Sequence, residues 1–111
     1  MNDLIQRIVN AIIRQEGMTP FYTNPGNLRG APWLTHPLIV NNFWVPSTRL
    51  QGIAGAAHVV ALHIAEGNSL IQLISIWAPS SDNNNTVAYI SNVKEWAQIT
   101  DENVPLYTLL G

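Results

Sequence analysis

Glu16 is the residue around which chemistry is most readily built in this chain. Leu4, Ile5, Ile8, Val9, Ile12 and Ile13 recur as pairs every four residues, which marks one face of a helix. Glu16 lies three residues past Ile13 and four past Ile12, so it continues that apolar face. Gly17 follows as a helix stop, and Pro20 forbids resumption nearby. A carboxyl group at this point is disfavoured as an anion by loss of water and by the negative end of the helix dipole. A glutamate kept protonated near neutral pH is a general acid. The competing reading has Glu16 fraying outward at a solvated helix end.

The residues that follow narrow the substrate. From Gly17 to Ala65 there is no Asp or Glu. The same stretch carries Tyr22, Asn24, Asn27, Arg29, Trp33, His36, Asn41, Asn42 and Trp44. Neutral hydrogen-bonding groups beside aromatic faces suit an uncharged polyol better than a phosphate or a metal ion. Against this stands the plainer view that the tryptophans are core and the asparagines turn residues.

Other chemistries fit less well. The chain has no cysteine, which removes thiol nucleophiles, disulfides and thiolate metal sites. His58 and His63 are five apart and outside any HExxH spacing, so they read as ordinary helix histidines. No GxSxG or P-loop occurs. Asp82 with three asparagines lacks the glycine and closing glutamate of an EF-hand and reads as a solvated loop and cap. No metal or cofactor is expected. A net charge of −2 and a pI near 5.8 argue against a nucleic-acid partner bound by phosphate neutralisation. The longest apolar run, from Ile53 to Ala65, is too short for a membrane span. The N-terminal helix carries Asp3, Arg7 and Arg14 and does not read as a signal peptide.

The elements that must position Glu16 follow from the pattern of the chain. The 111 residues make a single domain. Residues 19–48 hold five prolines and two glycines and cannot form a long helix. Within them Leu38-Ile39-Val40 and Phe43-Trp44-Val45, joined by Asn41-Asn42, predict a tight β-hairpin. Asn24-Pro25-Gly26-Asn27 predicts a turn. Thr48 and Gln51 have capping-box spacing, and the helix after them, to Ala65, is apolar on nearly every side. It is expected to be the central buried helix, with Gly52, Gly55, Ala56 and Ala57 allowing neighbours close to its backbone. Ser69 and Gln72 cap a short helix ending at Trp77 before Pro79. A polar loop, 80–85, precedes a helix from Thr86 to Ala97 with Tyr89, Val93 and Trp96 in one stripe. Pro105 to Leu110 is expected to form a helical turn closing the core. The fold class is mostly α (α+β), a helical bundle with a small irregular β-hairpin insert after helix 1.

These residues together resemble a family. Glu16-Gly17 ending the first helix, then Asn24-Pro25-Gly26-Asn27-Leu28-Arg29, is similar to small phage-type members of the lysozyme-like superfamily. Soluble lytic transglycosylases and goose-type lysozymes are relatives of that group. The second half agrees in Gly52-Ile53-Ala54, in Trp77-Ala78-Pro79, and in Thr86 followed three residues later by Tyr89-Ile90. The resemblance runs from about Ile5 to Val93.

The resemblance implies a lysozyme-like fold and cleavage of the β-1,4 bond between MurNAc and GlcNAc in peptidoglycan. Glu16 would be the catalytic acid, with Tyr22, Asn27, Arg29, Trp77, Asn84 and Tyr89 binding substrate. The loop before Thr86 is a residue longer than the family pattern, which leaves Asn83 as the alternative to Asn84. The implied partner is the glycan strand, with virion components a further one. The implied setting is a soluble protein acting at the bacterial cell wall, virion-borne or released at lysis.

Counting carboxylates then bears on mechanism. Hydrolysing glycosidases use a second carboxylate about 5–5.5 Å away as nucleophile or about 6.5–9.5 Å away as base. The insert contains none, so either Asp82 serves from the loop or the substrate supplies the second group. In lytic transglycosylases the sugar's own 6-hydroxyl attacks and leaves a 1,6-anhydro product, and this is the expected route. The alternatives are a hydrolysing muramidase using Asp82, a catalytically silent wall-binding or virion structural module, and a helical interaction protein unrelated to glycans.

Overall fold

The structure is a computed structural model and describes residues 3–111. Met1 and Asn2, which precede the apolar pattern of the first helix, lie outside the described residues. Helix α1 spans Asp3–Glu16, and the hairpin strands β1 (Ile39–Val40) and β2 (Phe43–Trp44) follow. Helices α2 (Arg49–Ala65), α3 (Leu70–Trp77) and α4 (Thr86–Trp96) complete the bundle, with 3-10 turns at Ser80–Asp82 and Leu106–Leu109. The chain is thus mostly helical, with one small antiparallel hairpin after the first helix. Among the described residues no helix is long and apolar enough to cross a membrane.

Local chemistry accounts for most boundaries. Gly17 adopts φ +65° and its N–H bonds to Ile13 O at 3.1 Å, which closes the last turn of α1 through a left-handed residue. Thr48 caps α2 by accepting from the Gln51 N–H. The Gln51 side chain then turns to the Ser47 N–H instead of completing the box on Thr48. Ser69 and Gln72 form the full reciprocal box at the start of α3. Asn41 and Asn42 both take positive φ, +51° and +68°, as a two-residue type I′ turn requires. The register pairs Ile39 with Trp44 and Val40 with Phe43.

Helix α1 packs against both α4 and α2, α3 packs against α4, and the last 3-10 turn packs on α2. Ile8, Ile12, Val60, Leu70, Leu73, Ile74, Val93 and Leu106 are wholly buried between them. Leu106 N–H bonds to Asn68 O, so the tail closes the core as expected.

One expectation requires correction. Helix α2 is not enclosed on every side: Leu50 is 76 % exposed, Leu62 is 46 % exposed, and Ala54 and His58 also face solvent. These four residues are spaced by four and form one stripe that no helix covers. The small residues do what was expected of them on the side facing the insert. A Cβ at Gly52 would lie 1.7 Å from the Thr23 carbonyl oxygen, and one at Gly55 would lie 2.4 Å from the Trp44 ring. The insert therefore lies directly on the α2 backbone.

Candidate active site

Four contacts along α1 and α4 set the position of Glu16. Arg7 Nε donates to Ala97 O at 2.8 Å, and the Arg14 guanidinium lies 4.1 Å over the Trp96 ring. One turn on, Asn92 Nδ2 donates to Gln15 Oε1 at 2.8 Å. At the end of the helix Tyr89 Oη donates to Glu16 Oε2 at 2.6 Å. Two antiparallel helices thus meet turn by turn, and the last contact fixes the carboxyl group. Tyr89 is 4 % exposed, so the donor side of this part-buried bond is enclosed by the helices.

The carboxyl of Glu16 is half-buried, and burial raises its pKa above the ordinary 4.5. Hydrogen bonds from Tyr89 and Asn27 oppose that rise without cancelling it. Desolvation is therefore the dominant effect, as the sequence suggested. The Tyr89 phenol is in turn pushed far above its usual range, first by burial and then by the charge of Glu16. It remains a donor at any working pH.

The opposite wall comes from the insert. Asn24 is buried, and its Nδ2 donates to both Leu28 O (2.8 Å) and Trp44 O (2.9 Å), while its Oδ1 accepts from Leu28 N–H (2.9 Å). One side chain thereby ties the turn to the hairpin. Asn27 N–H bonds to Asn24 O at 3.1 Å, and Asn27 holds φ +56°, a conformation asparagine tolerates. Trp77 Nε1 donates to Gly26 O at 2.9 Å, locking α3 to the turn. A Cβ on Gly26 would come within 3.2 Å of both Trp77 and Ala56, so glycine lets the three surfaces meet.

Between these walls lies a cleft of about 200 Å³ lined by Glu16, Asn27, Arg29, Trp77, Asp82 and Asn84, with Ile76, Ala78 and Pro79. Five of the residues expected at the site therefore line one space, and Tyr89 supports Glu16 from behind. Asn84 is fixed by donating to Pro79 O at 3.1 Å, whereas Asn83 is exposed in the left-handed region. The cleft thus takes Asn84 and leaves Asn83 outside. Arg29 faces Asp82 across the mouth at 3.9 Å, both side chains about half exposed, and its guanidinium rests 4.6 Å over the Phe43 ring.

Tyr22 is the expected site residue that the fold does not bring in. It is 74 % exposed, its ring lies beneath the Arg49 guanidinium at 4.5 Å, and Arg49 Nη1 bonds to its carbonyl at 2.7 Å. It borders a separate hollow with Gly17, Met18, Thr19 and Arg49. Ile76 lines the cleft without having been expected there, Ala78 and Pro79 line it beside the expected Trp77, and Asn24 ties the turn to the hairpin instead of facing a ligand. Among the described residues no three His, Asp or Glu side chains gather as metal ligands.

This arrangement offers a proton from a half-buried carboxyl group beside two amides, an indole and the Arg29–Asp82 pair. No known protein family, curated protein or solved structure matches the chain.

Proposed function

We propose that the protein is a peptidoglycan-cleaving glycosidase acting as a lytic transglycosylase on the MurNAc-β-1,4-GlcNAc bond. The observation that carries this reading is Glu16. It is a carboxyl group raised in pKa by burial, held by Tyr89 at 2.6 Å, in a cleft shared with two amides, an indole and the Arg29–Asp82 pair. Glu16 donates its proton to the glycosidic oxygen as the bond to C1 of MurNAc breaks. The 6-hydroxyl of the same sugar then bonds to C1, and its proton passes to the Glu16 carboxylate. The acid is thereby restored, and no water is consumed. Tyr89 keeps the carboxyl group in one orientation through both steps, and Asn27 and Trp77 bound the sugar's space.

One observation favours a second reading. Asp82 lines the same cleft, so a hydrolysing muramidase with Asp82 as the second carboxylate has a residue to use. Its pairing with Arg29 engages that charge at the rim. Mass spectrometry of digested sacculi separates the two: 1,6-anhydro muropeptides are expected. Reducing-end products without anhydro species would establish hydrolysis instead. Sacculi left undigested would overturn both.

A further inference from the structure

Helix α2 keeps one of its faces in water. Leu50, Ala54, His58 and Leu62 are exposed and follow one another at intervals of four. They form a single ridge about 18 Å long. The next row, Ile53, Ala57, Ala61 and Ala65, is low, because three of its four side chains are methyl groups. A shallow groove therefore runs beside the ridge. None of these residues lines the Glu16 cleft.

The insert extends this apolar face. Trp33 lies against His58, with ring centroids 4.7 Å apart, which fixes the middle of the ridge. Leu34 joins Ala54 and His58 around one hollow, and Leu38 and Gln51 around the next. Leu34, Leu38, Leu50 and Leu62 are 43 to 76 % exposed. Four such side chains leave roughly 400 Å² of aliphatic surface in water, a patch of the size that marks an interaction site. That is half of the ~800 Å² that each partner contributes to a stable interface, before Ala54, His58 and Trp33 are added.

Charge selects what can cover this face. From Gly30 to Ala65 the only Asp, Glu, Lys or Arg is Arg49. Arg49 is turned to Tyr22, whose carbonyl it bonds at 2.7 Å. A nucleic acid or a charged segment finds nothing to pair with here. A second copy finds no like charge to meet, and groups near a two-fold axis face their own copies.

The ridge is also complementary to itself. A two-fold axis level with Ala56 sets Leu50 of one copy opposite Leu62 of the other, and Ala54 opposite His58. Each ridge then lies in the alanine groove of the other, crossed at the angle of about −50° that rows of this spacing favour. We propose that α2 is the contact helix of an antiparallel homodimer, with Leu34 and Leu38 of the insert at its rim.

Sedimentation equilibrium of the full chain, over a concentration series into the hundreds of micromolar, tests this. The wild-type protein is expected to reach twice the monomer mass. Leu50→Glu changes an exposed residue, and the two-fold axis repeats it. It is expected to weaken the dimer about a hundredfold, with helical circular dichroism unchanged. Leu62→Lys is expected to do the same alone. Combined in one chain, the two substitutions place opposite charges across the axis twice, and the dimer is expected to return. Within one helix the two positions are too far apart to pair. A monomer at every concentration would overturn the proposal, as would a dimer that Leu50→Glu leaves intact. A dimer lost in both single variants and not regained in the double one would overturn it too. Wild-type protein that stays monomeric but floats with phosphatidylcholine vesicles, where Leu50→Glu does not, would give the face to a lipid surface and overturn the dimer.

Discussion

The two walls of the Glu16 cleft are held by different forces. Helices α1, α3 and α4 bury Ile8, Ile12, Leu73, Ile74 and Val93 completely, in a core that continues through α2 and the tail. The insert between α1 and α2 has a smaller hydrophobic cluster, with Leu28, Ala31 and Trp44 buried and Trp33, Val59 and Trp77 packed against them. Its shape depends on the three hydrogen bonds of Asn24, on the bond from Trp77 to Gly26, and on two glycines of α2 that let it lie flat. Burial is spread over many residues and tolerates small losses. Directional bonds at a few residues do not, because each broken one leaves a buried polar group unpaired. The cleft sits at the seam, with its acid on the robust wall and Asn27 and Arg29 on the fragile one.

This contrast can be broken from either side, and the largest effect belongs to the chemistry. Glu16→Gln is expected to lower sacculus-clearing activity by about 10²–10⁴-fold while both walls stay folded. Turbidity assays paired with urea unfolding would check it, and a variant with wild-type activity would remove Glu16 from the mechanism. The same variant carries a pH signature. Because burial raises the Glu16 pKa above 4.5, the folded protein binds this proton more tightly than the unfolded chain does. That contribution is fully present below about pH 4.5 and is lost as pH rises through the raised value. Glu16→Gln removes this slope, so it should gain stability relative to wild type at pH 7 and not at pH 4.

On the insert side, Gly52→Ala drives a methyl group into the Thr23 carbonyl. A loss of about 3 kcal/mol is expected, with amide exchange accelerating in the insert before the helices. Uniform acceleration across the molecule would show that the two regions are one cooperative unit. Asn24→Ala acts inside the insert, leaving Trp44 O and Leu28 N–H without their partner while Leu28 O keeps the Trp44 N–H. It should cost about 2 kcal/mol and reduce activity through a disordered Asn27 wall.

The smallest effect is expected from the helical side. Tyr89→Phe keeps the ring and removes one hydrogen bond, costing about 1 kcal/mol. Since that bond lowers the Glu16 pKa, its loss should move the alkaline limb of the pH–activity profile upward. A limb that moves down would contradict the assignment of Glu16 as the acid.

Much of the helical frame was legible from local pattern. Six apolar residues paired every four positions, a glycine stop and two Ser or Thr caps act within a turn or two of themselves, so their consequences are written locally. The same holds for the Asn41-Asn42 hairpin, where two residues tolerant of positive φ select the turn. Helix α2 was legible as a helix but not in its environment. Its alanines, glycines and valines form no stripe, so nothing local says which side stays open, and the fold leaves Leu50, Ala54, His58 and Leu62 uncovered.

What the sequence by itself determined is the placement of Glu16 on an apolar helix face, the NPGN turn, and an insert free of other carboxylates. Tertiary structure alone decided which residues meet. Tyr89 reaches Glu16 across 73 positions of sequence because α1 and α4 run antiparallel. Tyr22, six residues from Glu16, is held away under Arg49. Periodicity reports the face a residue occupies, whereas its partner depends on how separate elements pack, and that is a property of the whole chain.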